Sequence, residues 1–80
     1  NKMTRSLTTI AREIRADWTK PYFGAVPYLD AMRSLTTMQD KYYYDDAQSV
    51  VLYFLANATT WKGETARRIK TELKTMLKGA

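Results

Sequence analysis

Apolar positions recur along this chain with the spacing of helices. Over Trp61 to Lys78, a step of about 100° per residue gathers Ala66, Ile69, Leu73, Met76 and Leu77 into one arc. Arg67, Lys70, Lys74 and Lys78 form a stripe beside and behind it. One face of this helix requires a core and the other suits anions. Met3, Leu7, Ile10, Ala11, Ile14 and Trp18 keep the same spacing and predict a first helix from about Thr4 or Ser6 to Trp18, with Arg5, Arg12 and Arg15 opposite the buried stripe. Lys20-Pro21 ends it, because proline disfavours helical geometry in the residue before it and has no N–H to donate. Tyr22 to Val26 forms a connector, with Gly24 free to take unusual backbone angles.

A short second helix starts with Pro27 in its first turn, where the missing N–H costs nothing. Leu29 and Met32 face inward, with Leu35 or Tyr28 as further candidates. From Thr36 to Tyr44 the periodicity is lost, which predicts an irregular connection containing Tyr42-Tyr43-Tyr44. Asp45 or Asp46 is suited to cap a third helix running through Val50, Val51, Phe54 and Leu55 to about Ala58. Its apolar arc is wide, with Leu52 and Tyr53 outside it, so this helix is expected to be central. Val50-Val51 and Tyr53-Phe54 also suit a strand, but length and the cap favour a helix. Thr59 or Thr60 is the expected cap of the fourth helix. Gly63 either costs that helix about 1 kcal/mol or allows close approach of another backbone. No repeat or domain boundary interrupts residues 1–80, and the expectation is one all-α domain, a compact bundle of about four helices with the second short.

The 80 residues include no cysteine and no histidine, so a disulfide framework is excluded and stability must come from packing, helped by ten aromatic side chains. No run is apolar enough to span a membrane, and Asn1 to Ile10 lacks the apolar segment of a signal peptide. The reading is a soluble cytoplasmic protein.

The net charge of +5 is unevenly spread: +3 over residues 1–20, −2 over 21–60 and +4 over 61–80. This is the footprint of a protein that meets a polyanion or an acidic protein surface, or else a solubilising shell. Without His or Cys there is no Ser-His or Cys-His nucleophilic pair and no zinc site of the usual ligands, and Gly24, Gly63 and Gly79 stand too far apart for a phosphate loop. Asp40, Asp45 and Asp46 lack the spacing of a calcium loop, and capping accounts for the last two. The expectation is a protein without enzymatic activity and without a cofactor or metal.

Candidate phosphate contacts are Arg5, Arg12 and Arg15 on the first helix and Arg67, Lys70, Lys74 and Lys78 on the fourth. If the terminal helices are neighbours, the two stripes could merge. Arg68 lies on another flank, within helical reach of Glu64 or Glu72. Tyr42, Tyr43 and Tyr44 could stack on bases, but the flanking aspartates repel phosphate and favour a protein contact or local core. Trp18 and Trp61 read as core. A helix-turn-helix fits the short third connection, yet the fourth helix lacks the Asn, Gln or Ser cluster that reads base edges.

The residues Tyr22 to Met32 and Phe54 to Lys70 carry a resemblance to a family of small helical proteins encoded by phages, plasmids and chromosomal cassettes of Gram-positive bacteria. It extends over most of the chain from Ile10 onward and brings no catalytic motif. Small proteins on such elements include accessory subunits of replication machinery and inhibitors of host defences. The resemblance thus implies a DNA-associated accessory role, through low-specificity DNA contact or beside a larger replication protein. The alternative is a helical interaction module, including an inhibitor of a host nuclease, whose basic patch meets an acidic surface.

Overall fold

The described residues form four helices and one two-stranded hairpin: α1 (Leu7–Asp17), α2 (Val26–Met32), β1 (Lys41–Tyr42), β2 (Asp45–Asp46), α3 (Ala47–Ala56) and α4 (Glu64–Gly79). The structure is a computed structural model, and it describes residues 5–80. Met3 and Thr4, expected at the start of the first helix, lie outside the described residues. The Cα radius of gyration, 11.5 Å, is that of a compact domain of this length. Helix α1 packs on α2 and α4, and α3 packs on α2 and α4.

The apolar stripes meet as expected. Leu7, Ile10, Ala11 and Ile14 of α1, Leu29 and Met32 of α2, Val50, Val51 and Phe54 of α3, and Ala66, Ile69 and Leu73 of α4 are all buried in one core. Leu35 is buried too, although it lies beyond the end of α2, and Tyr28 is half-buried. At one end Trp18 and Trp61 stack at 5.7 Å with their planes 12° apart, and Phe54 meets both edge-on at 6.3 Å. The Trp61 indole N–H donates to Asp17 Oδ2 at 2.8 Å, which satisfies the polar atom of this buried ring.

Helix starts follow local chemistry. Ser6 caps α1 by accepting from the Thr9 N–H at 3.1 Å, and Asp46 caps α3 by accepting from the Ser49 N–H at 2.8 Å. Pro27 sits in the first turn of α2. The first turn of α1 is stitched to the segment after α2: Leu7 N–H donates to the Thr36 carbonyl at 3.0 Å, and Thr8 Oγ1 to that of Leu35 at 2.7 Å.

Three features correct the sequence reading. The chain is mostly helical rather than all-α, because part of the segment expected to be irregular is a hairpin that pairs Lys41 with Asp46 and Tyr42 with Asp45. The fourth helix begins at Glu64 rather than at Trp61, with Gly63 as its N-cap in place of Thr59 or Thr60. Gly63 has φ of 113° and a Cβ there would meet nothing within 4 Å, so the backbone angle, and not a close approach, explains glycine. The third helix stops at Ala56, two residues early, whereas α1 ends at Asp17 with Trp18 as its C-cap, as expected.

Candidate functional site

The terminal helices are neighbours, and their contact edge is electrically mixed. Arg5 donates through Nε and Nη2 to both carboxylate oxygens of Glu72 on α4, at 2.9 and 2.7 Å, and through Nη1 to Glu13 on α1 at 2.8 Å. Arg68 pairs with the other oxygen of Glu13. A bidentate guanidinium–carboxylate pair is among the stronger polar contacts. It raises the already high Arg5 pKa, and the two arginines together, Arg5 first, hold the Glu13 carboxyl below its ordinary range. Arg68 therefore bridges to α1, where helical spacing had suggested Glu64 or Glu72 on its own helix.

This network separates the two basic stripes. Glu13 marks the flank of α1 that meets α4, and Arg12 is turned about 100° away from it. Arg12 instead lines a shallow concavity on the other side of α1, with Thr8, Asp30, Arg33 and Ser34. Arg15 is exposed, two residues and about 200° from Glu13. A single surface combining both stripes is not what these helices form.

Helix α4 keeps a cationic flank of its own. Arg67, Lys74 and Lys78 are exposed, and no carboxylate among the described residues pairs with them. Lys70 shares the flank but is committed to the fold. Its ammonium donates to the Trp61 carbonyl at 2.6 Å and lies 5.8 Å from the centroid of the Trp61 ring. Burial, followed by the nearby charges of Lys74 and Lys62, lowers its pKa. Lys62 and Gly63 lie beside Arg67 and Lys70 along a shallow groove, so Lys62 extends the cationic flank, a position that helical periodicity over the fourth helix did not single out.

The three tyrosines part company. Tyr42 is half-buried against the core, whereas Tyr43 is 83% exposed and Tyr44 wholly so. Tyr43 has φ of 59°, the left-handed region that costs a non-glycine residue roughly 1–2 kcal/mol. This angle lets a two-residue connection close the hairpin, and the Tyr43 ring rests edge-on against Tyr42 at 4.7 Å. The aspartates around the hairpin serve local backbone. Asp40 accepts from the N–H groups of Thr36 and Thr37 at 2.8 and 3.2 Å, and Asp46 from Ser49. These hydrogen bonds hold both carboxyls below their ordinary range.

Together these features describe a small, mostly helical domain with an unneutralised cationic flank on α4 and a projecting aromatic hairpin. Among the described residues, no helix is long and apolar enough to cross a membrane. No known protein family, curated protein or solved structure matches the chain.

Proposed function

We propose that the protein is a non-enzymatic accessory factor that binds the phosphate backbone of DNA with low sequence specificity. The contact runs along the outer flank of α4, through Arg67, Lys74 and Lys78 with Lys62 beside them. The observation that carries this reading is the contrast between the two flanks of α4: Arg68 is neutralised against Glu13, while these cations stand in solvent without carboxylate partners. Side chains of this type release counterions on meeting phosphates, so affinity falls steeply with salt. Arg12 and Arg15 supply a separate contact on α1, and Arg5 and Lys70 act by holding the scaffold. The placement on a mobile genetic element, beside replication machinery, follows from the resemblance of the chain from Ile10 onward. Nothing in this role calls for a metal or cofactor.

The test is retention of short DNA at two salt concentrations, by the wild type and by the Arg67→Ala, Lys74→Ala, Lys78→Ala triple variant. The variant is expected to bind more weakly and evenly across sequences, with the log–log salt slope reduced by about 2–3. Absence of wild-type retention at low salt, or an unchanged triple variant, ends this reading.

The exposed rings of Tyr43 and Tyr44 support a second reading, a helical interaction module whose hairpin tip touches a protein partner. The flanking carboxylates of Asp45 and Asp46 make that tip unsuited to phosphate. Serine at both positions would then abolish partner capture while leaving DNA affinity unchanged.

A further inference from the structure

Helix α3 carries no charged residue, and large apolar side chains lie on its outside as well as its inside. Ala47, Val50, Val51 and Phe54 fill the core, while Leu52 is 55% and Tyr53 51% exposed. A helix apolar all round is ordinarily covered on all sides. Within the described residues of one copy, α3 is covered on one side only.

The outer stripe is Ser49, Leu52, Tyr53 and Ala56, the i, i+3, i+4, i+7 spacing of a helix-packing seam. It continues onto neighbouring aromatics. Tyr28 of α2 lies 5.5 Å from Tyr53. Tyr22, itself 4.8 Å from the 79% exposed Phe23, stands against Gly24 together with Asn57, the C-cap of α3. A Cβ on Gly24 would stand 2.6 Å from the Tyr22 ring and 2.9 Å from Asn57 Oδ1, so any larger residue there would push Tyr22 or Asn57 aside. At about 200 Å² per large side chain, the exposed parts of Tyr22, Phe23, Leu52 and Tyr53 amount to roughly 460 Å².

We infer that this face binds a second copy of the chain, with the two α3 helices antiparallel across a two-fold axis beside Leu52 and Tyr53. Two observations select that occupant. The seam reads small, large, large, small in either direction, so it is self-complementary: Ser49 meets Ala56 of the second copy, and the helices approach closely while Leu52 and Tyr53 interdigitate. Charge points the same way. Each copy carries +5, and the cations concentrate on α1 and α4, so like-charged copies meet at least cost through a face with no charge. An acidic partner would be drawn to α4 instead.

The apolar patch is about half of the roughly 800 Å² per partner of a standard interface, so the dimer is weak and reversible, with a Kd expected between about 10 μM and 1 mM. Because salt screens the repulsion between copies and removes nothing from the seam, it should strengthen association. Electrostatic docking of an acidic hairpin on a basic helix would weaken instead.

Sedimentation equilibrium over this concentration range tests the inference, with far-UV circular dichroism confirming the fold. The wild type should move towards dimer as concentration rises, more so at higher salt, and Leu52→Lys should stay monomeric. Ala56→Lys, at an exposed position, gives the same readout should Leu52→Lys fail to fold. A wild type that is monomeric at about 1 mM overturns the proposal. So does a folded lysine variant that still dimerises, or dimerisation lost through Tyr43→Ser and Tyr44→Ser but not through the α3 variants.

Discussion

Helices α3 and α4 bury equivalent stripes in one core and have opposite exteriors. Val50, Val51 and Phe54 on one and Ala66, Ile69 and Leu73 on the other are sealed from solvent. Outside, α3 shows Leu52 and Tyr53, and α4 shows Arg67, Lys74 and Lys78. The inner stripes decide that both segments are helices and where they sit; the outer residues decide what can approach. Two helices of one small domain can thus share a packing logic and still present opposite exteriors, one apolar and one cationic.

The largest expected effect tests the shared half of that comparison. Phe54→Ala should cost roughly 3–5 kcal/mol and Leu73→Ala roughly 2–5 kcal/mol, since each removes a fully buried side chain and leaves a cavity. Denaturant titration measures both. If either cost falls below about 1 kcal/mol, less than any such cavity requires, that helix does not belong to the common core.

A smaller effect sharpens the contrast between the two flanks of α4. Glu13→Gln removes the carboxylate shared by Arg5 and Arg68 and should cost about 1 kcal/mol or less, because the network is partly solvated. The sign with pH follows from the lowered Glu13 pKa. The stabilisation is complete above about pH 4.5, the ordinary value, and is lost as pH falls through the lower value of the folded state. The wild type should therefore lose its advantage over Glu13→Gln in acid, read as convergence of their Tm values.

The smallest effect concerns the hairpin. Tyr43→Gly relieves the left-handed backbone but gives up the edge contact with Tyr42 and loosens the unfolded chain, leaving a net gain of up to about 1 kcal/mol. A small rise in Tm is expected, and a fall of several degrees would mean that the ring contact outweighs the backbone strain.

Periodicity and capping made the helices legible. The stripe of α1, Pro27 at the start of α2 and Asp46 before α3 each act within a few residues, on a scale that sequence displays. The hairpin was not legible, since its strands of two residues are too short to show alternation and its turn is Tyr43-Tyr44 where Asn-Gly or Asp-Gly would announce one. Gly63 was not legible as the cap because threonine and glycine cap about equally well, and only the folded chain shows Gly63 at φ 113° with the helix starting at Glu64. The roles of Arg5 and Lys70 depend on partners distant in sequence, Glu72 for one and the Trp61 carbonyl for the other. Spacing alone counted both as free cations. The hydrophobic exterior of α3 was visible in outline, because Leu52 and Tyr53 fall outside the inward arc, but only the folded arrangement brings Tyr22, Tyr28 and Tyr53 onto one surface.

The stacked tryptophans also give the molecule an optical signature. Trp18 follows α1 and Trp61 precedes α4, so their nearly parallel rings come together only when the first and last helices close on each other. Two indoles at that separation couple their electronic transitions, and the coupling vanishes once the rings part. With no other tryptophan in the chain, a paired positive and negative band in circular dichroism would report the closing of these two ends in an unlabelled protein, independently of total helix content.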